Sequence, residues 1–411
     1  MAKVKTTAAS VKTFGTKPQE RKLFNYDPSD GVNIKTNISE SAGYIEYGAK
    51  DSFPNYLMDT VSKSHTCFSC IDTRSSFIEG RLKSESLSNM FVNSDGDTFE
   101  EVHHRITADY SQFEGAYIHL SYNLKKEITK IQHLPFEYCR LGLPNEFGRI
   151  TYIVYNPYFG TPDLQKEENV IFPIFNPDES VLDAQMGSGN FNGQVMFIKE
   201  ERPGSRFYPV PYYWSGHYWF DVERKIGEFH NSNIDNNFLL SVLIKFVGDP
   251  NQGVEFDDEG NVKKTIKQVI DEQLENKYSG KDKGGVVMTL WGDSKEAFPE
   301  IESFPTNTHD SLFTALQELL KENITVATNI PPILANINVS KGLSNDDITN
   351  SVALLQGKIQ KTQNKLEATY SKIFKKSIWG EQDATLLPFE YGAKEVKVEA
   401  EIGETDITVE N

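Results

Sequence analysis

The stretch ITVATNIPPILANINVSKGLSNDD, from Ile324 to Asp347, decides how the chain is organised. A helical pattern runs up to the double proline Pro331-Pro332, a small and mostly uncharged loop follows, and a second helical pattern begins after Ser344. Proline lacks a backbone N–H and restricts the residue before it, so the pair ends the first helix and favours an extended exit. The sequence therefore predicts two helices joined by a loop, 329–344.

Both flanking helices are amphipathic. The first is predicted from Thr308 to about Thr328, with an apolar stripe that comprises Leu312, Phe313, Leu316, Leu319, Leu320 and Ile324. The second is predicted from Asn345 to about Lys376, with Ser344 as its N-cap and two aspartates in its first turn. Such a helix is roughly 48 Å long at 1.5 Å per residue, which is more than one small domain needs.

The chain before these helices divides into a helical start and a β-rich middle. Residues 51–80 are predicted as one helix that ends at Gly80, and a further helix is expected near 98–113. From Gly115 to about residue 230 the period changes to two, which predicts mostly antiparallel strands, including one over HYWFDVERKIGEF. Pro173 restricts its strand to a sheet edge.

The segment NIDNNFLLSVLIKFVGDP, from residue 233, is apolar on every side. A helix over 234–248 is predicted, and its apolar faces must be covered either by its own domain or by other subunits. A compact α/β insert is expected next. It contains a strand at GVEF, an amphipathic helix at NVKKTIKQVIDEQLENKYSG, and two strands at GGVVMTLWG and EIESF.

Composition limits the class of protein. The 411 residues carry a formal net charge of −17, which argues against a monomer that holds nucleic acid on a broad basic face. Three cysteines are too few for a disulfide framework, so a reducing compartment is expected. No apolar run is long enough to span a bilayer, and the basic N-terminus has no signal-peptide core. That N-terminus is either a solvated tail or an arm that reaches a neighbouring subunit or DNA.

Motifs for catalysis, cofactors or metals are not convincing. GSGNFNG (187–193) has its third glycine one residue late for a dinucleotide loop, and SGKDKGG (279–285) lacks the Lys-Ser/Thr pair of a phosphate loop. Cys67 and Cys70 are expected to be small core residues of a helix, and His103-His104 has no metal-site context. We therefore expect no catalytic residues, no cofactor and no metal site, and a protein that is not an enzyme.

The order of elements resembles one known family. IQHLPFEYCRLG, FVGDPNQGV, GGVVMTLWG and the IPPIL junction at Ile330–Leu334 occur in the same order, with similar spacing, as in portal proteins of tailed bacteriophages. The chain resembles the compact portals of long-tailed phages over about residues 51–376. No single motif is specific, so the resemblance depends on their order and spacing. The short C-terminus departs from larger portals and makes a large crown unexpected.

The resemblance implies an α+β portal-like fold with a mixed antiparallel β and helical wing, a helical stem, a small α/β clip and a long C-terminal helix. The implied parts are an N-terminal arm, partly disordered (1–50), the β-rich wing (51–233), a stem helix (234–248), the clip (249–306), a second stem helix (307–328), the tunnel loop (329–344), the long wing helix (345–380) and an acidic strand or tail (381–411).

The resemblance also implies the function and the partners. The subunits would form a ring, usually dodecameric, at one capsid vertex, through which double-stranded DNA is packaged and ejected without sequence specificity. The expected partners are the terminase large subunit, then the head–tail adaptor, and the major capsid protein, with no membrane. The expected location is the virion, after assembly in the host cytoplasm. Expected stem contacts between subunits involve Phe238, Leu239, Leu243 and Phe246.

The chemistry of the loop agrees with DNA passage. Its DNA-facing residues would be Asn336, Asn338, Ser340, Lys341, Gly342 and Ser344, after the helix break at Pro331 and Pro332. The loop is polar and nearly uncharged. This composition suits a surface past which DNA slides, because many Lys/Arg–phosphate pairs would hold the DNA in place. Lys341 is either a weak phosphate contact or a solvated loop lysine. Two alternatives to a portal remain at this point, namely another ring-forming virion or tail protein and an α+β metabolic enzyme.

Overall fold

The computed structural model describes residues 37–39, 41–203, 206–235, 242–249, 251–256, 262–270, 272, 287–292, 309–337 and 345–389. The helices are α1 (Phe53–Lys63), α2 (His65–Glu79), α3 (Glu85–Ser88), α4 (Phe99–Phe113), α5 (Glu179–Met186), α6 (His217–Asp235), α7 (His309–Thr328) and α8 (Asn345–Phe374). The strands are β1 (Asn37–Ser39), β2 (Tyr44–Glu46), β3 (Arg81–Leu82), β4 (Gly115–Tyr122), β5 (Ile128–Leu134), β6 (Cys139–Leu141), β7 (Tyr152–Tyr155), β8 (Val170–Pro173), β9 (Gln194–Lys199), β10 (Val242–Val247), β11 (Gly253–Phe256), β12 (Val262–Thr265), β13 (Val287–Gly292) and β14 (Leu386–Leu387).

Helix α2 is the centre of the helical body, because it contacts α1, α4, α7 and α8. Helix α4 begins at a capping box in which the Thr98 hydroxyl accepts from the Glu101 N–H, and the Glu101 carboxylate accepts from the Thr98 N–H. The apolar faces of α4 and α8 meet in one core, where Ile106, Leu366 and Tyr370 are fully buried. The helices predicted near 98–113 and over 345–376 are confirmed.

Two small antiparallel sheets complete the body. One has the order β5-β4-β9 and packs against α4, and the other has the order β6-β7-β8. Pro173 lies at the end of β8, an outer strand of its sheet, as predicted, and pairs with Tyr152. The described residues thus form the predicted mixed α+β fold, with helices and small antiparallel sheets. No helix among the described residues has the length and apolar character needed to cross a membrane.

The predicted helix over 51–80 is two helices. Ser64 has the extended conformation of an N-cap (φ −104°, ψ 100°), and its hydroxyl accepts a hydrogen bond from the Cys67 N–H at 3.3 Å. A cap of this kind starts a new helix, so the apolar pattern continues while the axis changes. The predicted end at Gly80 is confirmed, with φ 56°.

The β-rich prediction for 115–230 is wrong in two places. Residues 179–186 form α5, and HYWFDVERKIGEF forms the first part of α6 instead of a strand. Phe220, Glu223 and Ile226 are the buried positions of α6. Their spacing of three residues places them on one side of a helix with 3.6 residues per turn, a pattern that the aromatic and β-branched composition of the segment concealed.

The predicted helix over 234–248 is also wrong at Val242–Val247, although residues 234–235 are helical as the end of α6. Residues Val242–Val247 form β10, which pairs in parallel with β13 from Val242↔Val287 to Val247↔Gly292. A short run of continuous apolar residues fits a strand in a parallel pair as well as a buried helix, and periodicity alone does not separate them.

Two strands predicted in the α/β insert are confirmed. GVEF is β11, and residues 287–292 of GGVVMTLWG form β13. The predicted helix starts later than expected, because Val262–Thr265 forms β12, antiparallel to β11, and helical structure begins at 266. The expected strand EIESF lies outside the described residues.

The folded body begins before residue 50, so the predicted boundary of the N-terminal arm is wrong. Tyr44, Ile45 and Tyr47 are buried, and the Tyr208 hydroxyl donates to the Ile45 carbonyl at 2.7 Å. The fully buried Arg140 donates to the Asp51 carboxylate at 2.5 Å, which ties this segment to β6. Residues 1–36 and the acidic strand expected after 389 lie outside the described residues.

Candidate functional site

Helix α7 ends as the double proline requires. Asn329 adopts the left-handed conformation (φ 55°) that often ends a helix, and its N–H donates to the Val326 carbonyl at 3.2 Å. Ile330 follows and is buried. The helix break predicted at Pro331 and Pro332 is therefore in the expected place.

The exit from the helix is a compact turn, so the predicted extended exit is wrong. The Leu334 N–H donates to the Pro331 carbonyl at 3.0 Å, and the Ile337 N–H donates to the Pro332 carbonyl at 2.9 Å. Each proline fixes its own φ, but its carbonyl stays free to accept, and these two acceptors fold the chain back on itself. Asn336 is exposed on this turn, with φ 60°.

The turn is fastened to α2 and α8. The Ser69 hydroxyl donates to the Ala335 carbonyl at 2.7 Å, and the buried Ile330 and Leu334 pack in the same core as Leu355 and Ile359 of α8. The first half of the predicted loop 329–344 is therefore part of the rigid body. Among its predicted DNA-facing residues, Asn336 lies on the described turn, whereas Asn338, Ser340, Lys341, Gly342 and Ser344 lie outside the described residues.

Helices α6 and α7 form a pair on either side of the α/β insert. They contact each other, and α7 also contacts the 3-10 turn Tyr212–Gly216 that leads into α6. A methyl group placed on Gly216 would lie 2.6 Å from the Ala327 side chain, so only glycine permits this close approach. The Tyr212 hydroxyl donates to the Thr328 carbonyl at 2.6 Å and satisfies an orphan acceptor at the end of α7.

The outer face of α7 keeps apolar side chains in solvent. Leu320 and Ile324 face the core and are buried, whereas Leu319 is 46% exposed and Val326 is 73% exposed. Leu319 and Val326 are seven residues apart, or two turns, and share one face. Leu319, which belongs to the predicted apolar stripe, is thus not covered by the described residues.

Helix α6 is held to the start of α2 by one carboxylate. Glu223 is buried and accepts hydrogen bonds from the hydroxyls of Ser64 and Thr66, the latter at 2.5 Å. His65 Nε2 lies 3.1 Å from the same carboxylate. The carboxylate thus lies at the N-terminus of α2, where the macrodipole and free N–H groups favour negative charge.

An open cleft of about 170 Å³ lies beside the end of α7, and we call it the α7–α8 cleft. Four cationic side chains and two carboxylates line it together with a tyrosine and apolar residues of α8. The lining comprises Arg74, Glu114, Glu200, Arg202, Tyr212, Thr328, Asn329, Ile330, Leu355, Lys358, Ile359, Lys361 and Thr362.

Each carboxylate of the cleft is shared by two cations. Glu114 is reached by Arg74 at 3.5 Å and by Arg202 at 2.8 Å, and Glu200 is reached by Lys361 and Lys365 at 2.7 Å each. Burial raises the pKa of Glu114, and the two arginines oppose that rise. Burial also acts to raise the pKa of Glu200, but the two lysines outweigh it and lower this pKa to about 2.

The predicted stem residues do not form one helix face. Leu243 and Phe246 lie on β10, where the Phe246 ring stacks on Trp291 of β13 at 4.8 Å. Phe238 and Leu239 lie outside the described residues. On the described part of α7, the uncovered apolar residues are Leu319 and Val326.

The cysteines and histidines have structural roles. Cys67 and Cys70 are free and fully buried on α2, as predicted. His103 is buried between the Tyr370 hydroxyl and the Glu79 carbonyl. No group of three or more His, Cys, Asp or Glu side chains with metal-site geometry occurs in the part of the chain that the structure describes.

Sequence analysis missed the α7–α8 cleft because its residues come from six separate segments. One signal was present in the sequence. Lys358, Lys361 and Lys365 recur at spacings of three and four within a predicted helix, so they had to share one face. Their meeting with Arg74 and Arg202 depends on tertiary packing, which no local pattern encodes.

Comparison with known proteins gives structural matches alone. No family model and no curated protein matches the chain. It is similar to a chain of the virion of a native gene transfer agent particle, at 12% identity and a TM-score of 0.49, over 79% of this chain and 82% of that chain. It is similar to a chain of the neck of the native particle, computed with C12 symmetry, at 11% identity and a TM-score of 0.49, over 79% and 82% of the two chains.

A third match is an HK97-family phage portal protein from Corynebacterium diphtheriae, at 9% identity and a TM-score of 0.36, over 76% of this chain and 88% of that chain. The predicted resemblance to a phage portal protein is confirmed as a resemblance. At these identities and TM-scores it carries no conclusion about what the chain does.

Proposed function

We propose that the protein is a portal subunit that forms a ring around a channel for double-stranded DNA at one vertex of a virion. In this role it has no catalytic residues or cofactor of its own. The terminase large subunit and later the head–tail adaptor dock on the ring, and the major capsid protein surrounds it. The ring is dodecameric and is assembled in the host cytoplasm.

The observation that carries this proposal is the uncovered apolar face of α7. Leu319 and Val326 remain in solvent on a helix whose opposite face is well packed. Burial of apolar surface stabilises by roughly 25 cal/mol per Å², so a neighbouring copy that covers this face gains stability. In a ring the α7 face of every copy packs against the next copy, so no copy is left with this face exposed.

The arrangement of elements supports the same proposal. Helices α6 and α7 pair as a stem, and the α/β insert between them (β10 to β13) corresponds to the clip. The body with α8 corresponds to the wing, and 338–344 would be the part of the tunnel loop that projects beyond the anchored turn. The stem helix expected at 234–248 is reassigned to α6.

Charge supports passage of DNA in preference to capture. Each copy has a formal net charge of −17, so a ring repels the polyanion overall. The exposed Asn336 at the anchored turn is polar and uncharged, as a gliding surface requires.

The ring is tested by charging the outer face of α7. The double variant Leu319→Asp/Val326→Asp introduces two carboxylates where a neighbour should pack, and we expect it to sediment as a single chain of 46.5 kDa. The matched control is Leu124→Asp, which changes a leucine that is 95% exposed on the β4–β5 hairpin and should leave the ring intact. A double variant that still assembles like the wild type would refute the proposed interface.

A further inference from the structure

The α7–α8 cleft has a surplus of positive charge in an acidic protein. Four cations line it against two carboxylates, whereas the whole chain carries −17. Among the described residues, Lys358 donates to a neutral acceptor, the Asn329 Oδ1 atom, at 2.7 Å. A charged ammonium that meets an amide oxygen keeps its capacity to pair with an anion. The ligand of this cleft should therefore carry carboxylates or phosphates.

Apolar side chains flank the cationic cleft. Val326 lies one turn before Asn329 on α7 and is 73% exposed, and Leu354 lies one turn before Lys358 on α8 and is 53% exposed. A nucleic-acid backbone offers no apolar side chains to such flanks. A peptide that alternates acidic and β-branched residues matches both features of the surface.

The chain itself contains such a peptide. The last 13 residues, EAEIGETDITVEN (399–411), contain five acidic residues and no basic one, with Ile402, Ile407 and Val409 among them. Its negative charge matches the surplus positive charge of the cleft. Its apolar residues match the exposed Leu354 on α8.

The described chain ends on α8, within reach of the cleft. The Leu386 N–H donates to the Glu367 carboxylate at 2.7 Å, and Gln356 Nε2 donates to the Phe389 carbonyl at 3.1 Å, so residues 386–389 run along α8 towards its N-terminus. Gln356 and Lys358 are two residues, or about 200°, apart around the helix. Residues 390–398 span up to about 30 Å when extended, more than the helix diameter of about 10–12 Å.

We propose that the acidic segment 399–411 docks in the α7–α8 cleft of its own chain. Its carboxylates pair with Lys358 and Lys361, and its apolar residues cover Leu354, while Val326 stays available to the neighbouring copy. The segment then lies against the anchored turn from which residues 338–344 depart. This inference concerns the single chain and does not depend on the ring.

Zero-length carbodiimide crosslinking of the full-length protein tests the docking. The reagent joins an amine and a carboxylate that are already in contact, with loss of water, and mass spectrometry identifies the joined peptides. We expect links from Lys358 or Lys361 to Glu399, Glu401, Glu404 or Asp406. Mixing isotope-labelled and unlabelled chains before assembly should show that both peptides come from one chain. The yield should fall several-fold in 1 M salt, because salt screens exposed charge pairs.

Two variants and one competitor make the outcome decisive. Lys358→Ala/Lys361→Ala removes both reactive amines, so docking in this variant is followed by limited proteolysis with a Glu-specific protease. Cleavage within 399–411 should be several-fold faster than in the wild type, whereas Lys125→Ala, at an exposed lysine of the β4–β5 turn, should not change the cleavage rate. Links that join labelled to unlabelled chains, or a segment 399–411 that is cleaved no faster in the double variant, would overturn the proposal. A 20-base-pair DNA duplex that binds the wild type and not the double variant, with no tail links found, would show a phosphate site instead.

Discussion

At the residue scale, His103 of α4 forms a buried hydrogen bond with Tyr370 of α8. His103 Nε2 lies 3.0 Å from the Glu79 carbonyl, which can only accept, so this nitrogen carries the proton. Nδ1 must then accept from the Tyr370 hydroxyl at 2.7 Å. Burial lowers the pKa of His103 and raises that of Tyr370, so both groups stay neutral and the hydrogen bonds have one consistent assignment.

Removal of the Tyr370 hydroxyl should leave a buried acceptor without a donor. We expect Tyr370→Phe to lower the free energy of unfolding by about 1–3 kcal/mol, which is the usual cost of an unsatisfied buried polar group. Tyr218→Phe makes the same change on a side chain that is 65% exposed and should cost less than about 0.5 kcal/mol. Urea titration followed by circular dichroism measures both, and equal effects would contradict the assignment.

Glu200 should give the stability a dependence on acidic pH. Its folded pKa of about 2 lies below the usual value of 4.5, so between these values the unfolded chain binds more protons. The stabilisation is fully present above pH 4.5 and is lost as pH falls through the folded pKa. We expect Glu200→Gln to destabilise at about pH 6 and to do so less at about pH 3.5.

The control for this pH dependence is the exposed neighbour Glu201. Glu201→Gln should change the free energy of unfolding little at either pH, because this side chain is exposed. Urea titrations at the two pH values give the comparison. A Glu200→Gln penalty that grows as pH falls would show that the lysine pairing is assigned wrongly.

At the element scale, Glu223 joins α6 to the start of α2. We expect Glu223→Ala to leave the Ser64 and Thr66 hydroxyls without their acceptor and to lower the free energy of unfolding by about 2–3 kcal/mol. The control on the same helix is Glu228→Ala, whose carboxylate is 60% exposed and pairs with Arg224. That change should cost about 0.5 kcal/mol or less. Thermal unfolding compares the two, and a smaller loss for Glu223→Ala would argue against the joint.

The elements differ in how far their sequence determines them. Long amphipathic helices such as α7 and α8 were predictable because their stripes persist over many turns and their ends carry Asp, Ser or Pro signals. Helix α6 was mistaken for a strand, and β10 for a helix, because short apolar and aromatic runs fit either form. The compact turn after Pro331 depends on Ser69 and on core contacts that lie far away in sequence.

Only part of the candidate site could be predicted from the sequence. The helix break at Pro331 and Pro332 follows from the covalent structure of proline and could be predicted. The pairing of Arg74 and Arg202 with Glu114 could not be predicted, because it joins α2, the end of α4 and the chain after β9. These three side chains meet only in the folded structure, and their spacing along the chain does not predict the contact.

At the scale of the whole molecule, the loop that leaves the anchored turn should control DNA passage. We expect deletion of Lys341-Gly342 to leave rings and capsids assembled but to reduce the amount of packaged or retained DNA several-fold, because the lip around the channel is altered. Lys125→Ala, far along the chain on the β4–β5 turn, serves as the control. Density-gradient sedimentation measures the DNA content of the deletion particles. A normal DNA content would contradict the assignment of this loop to the channel.

Association into a ring is the claim on which the account of the molecule depends, and images of the purified protein test it most directly. Single-particle electron microscopy of the wild-type chain should show closed rings of uniform copy number, with a central hole wide enough for duplex DNA and α7 between adjacent copies. A population of single 46.5 kDa chains at all concentrations, or rings without a hole, would contradict it.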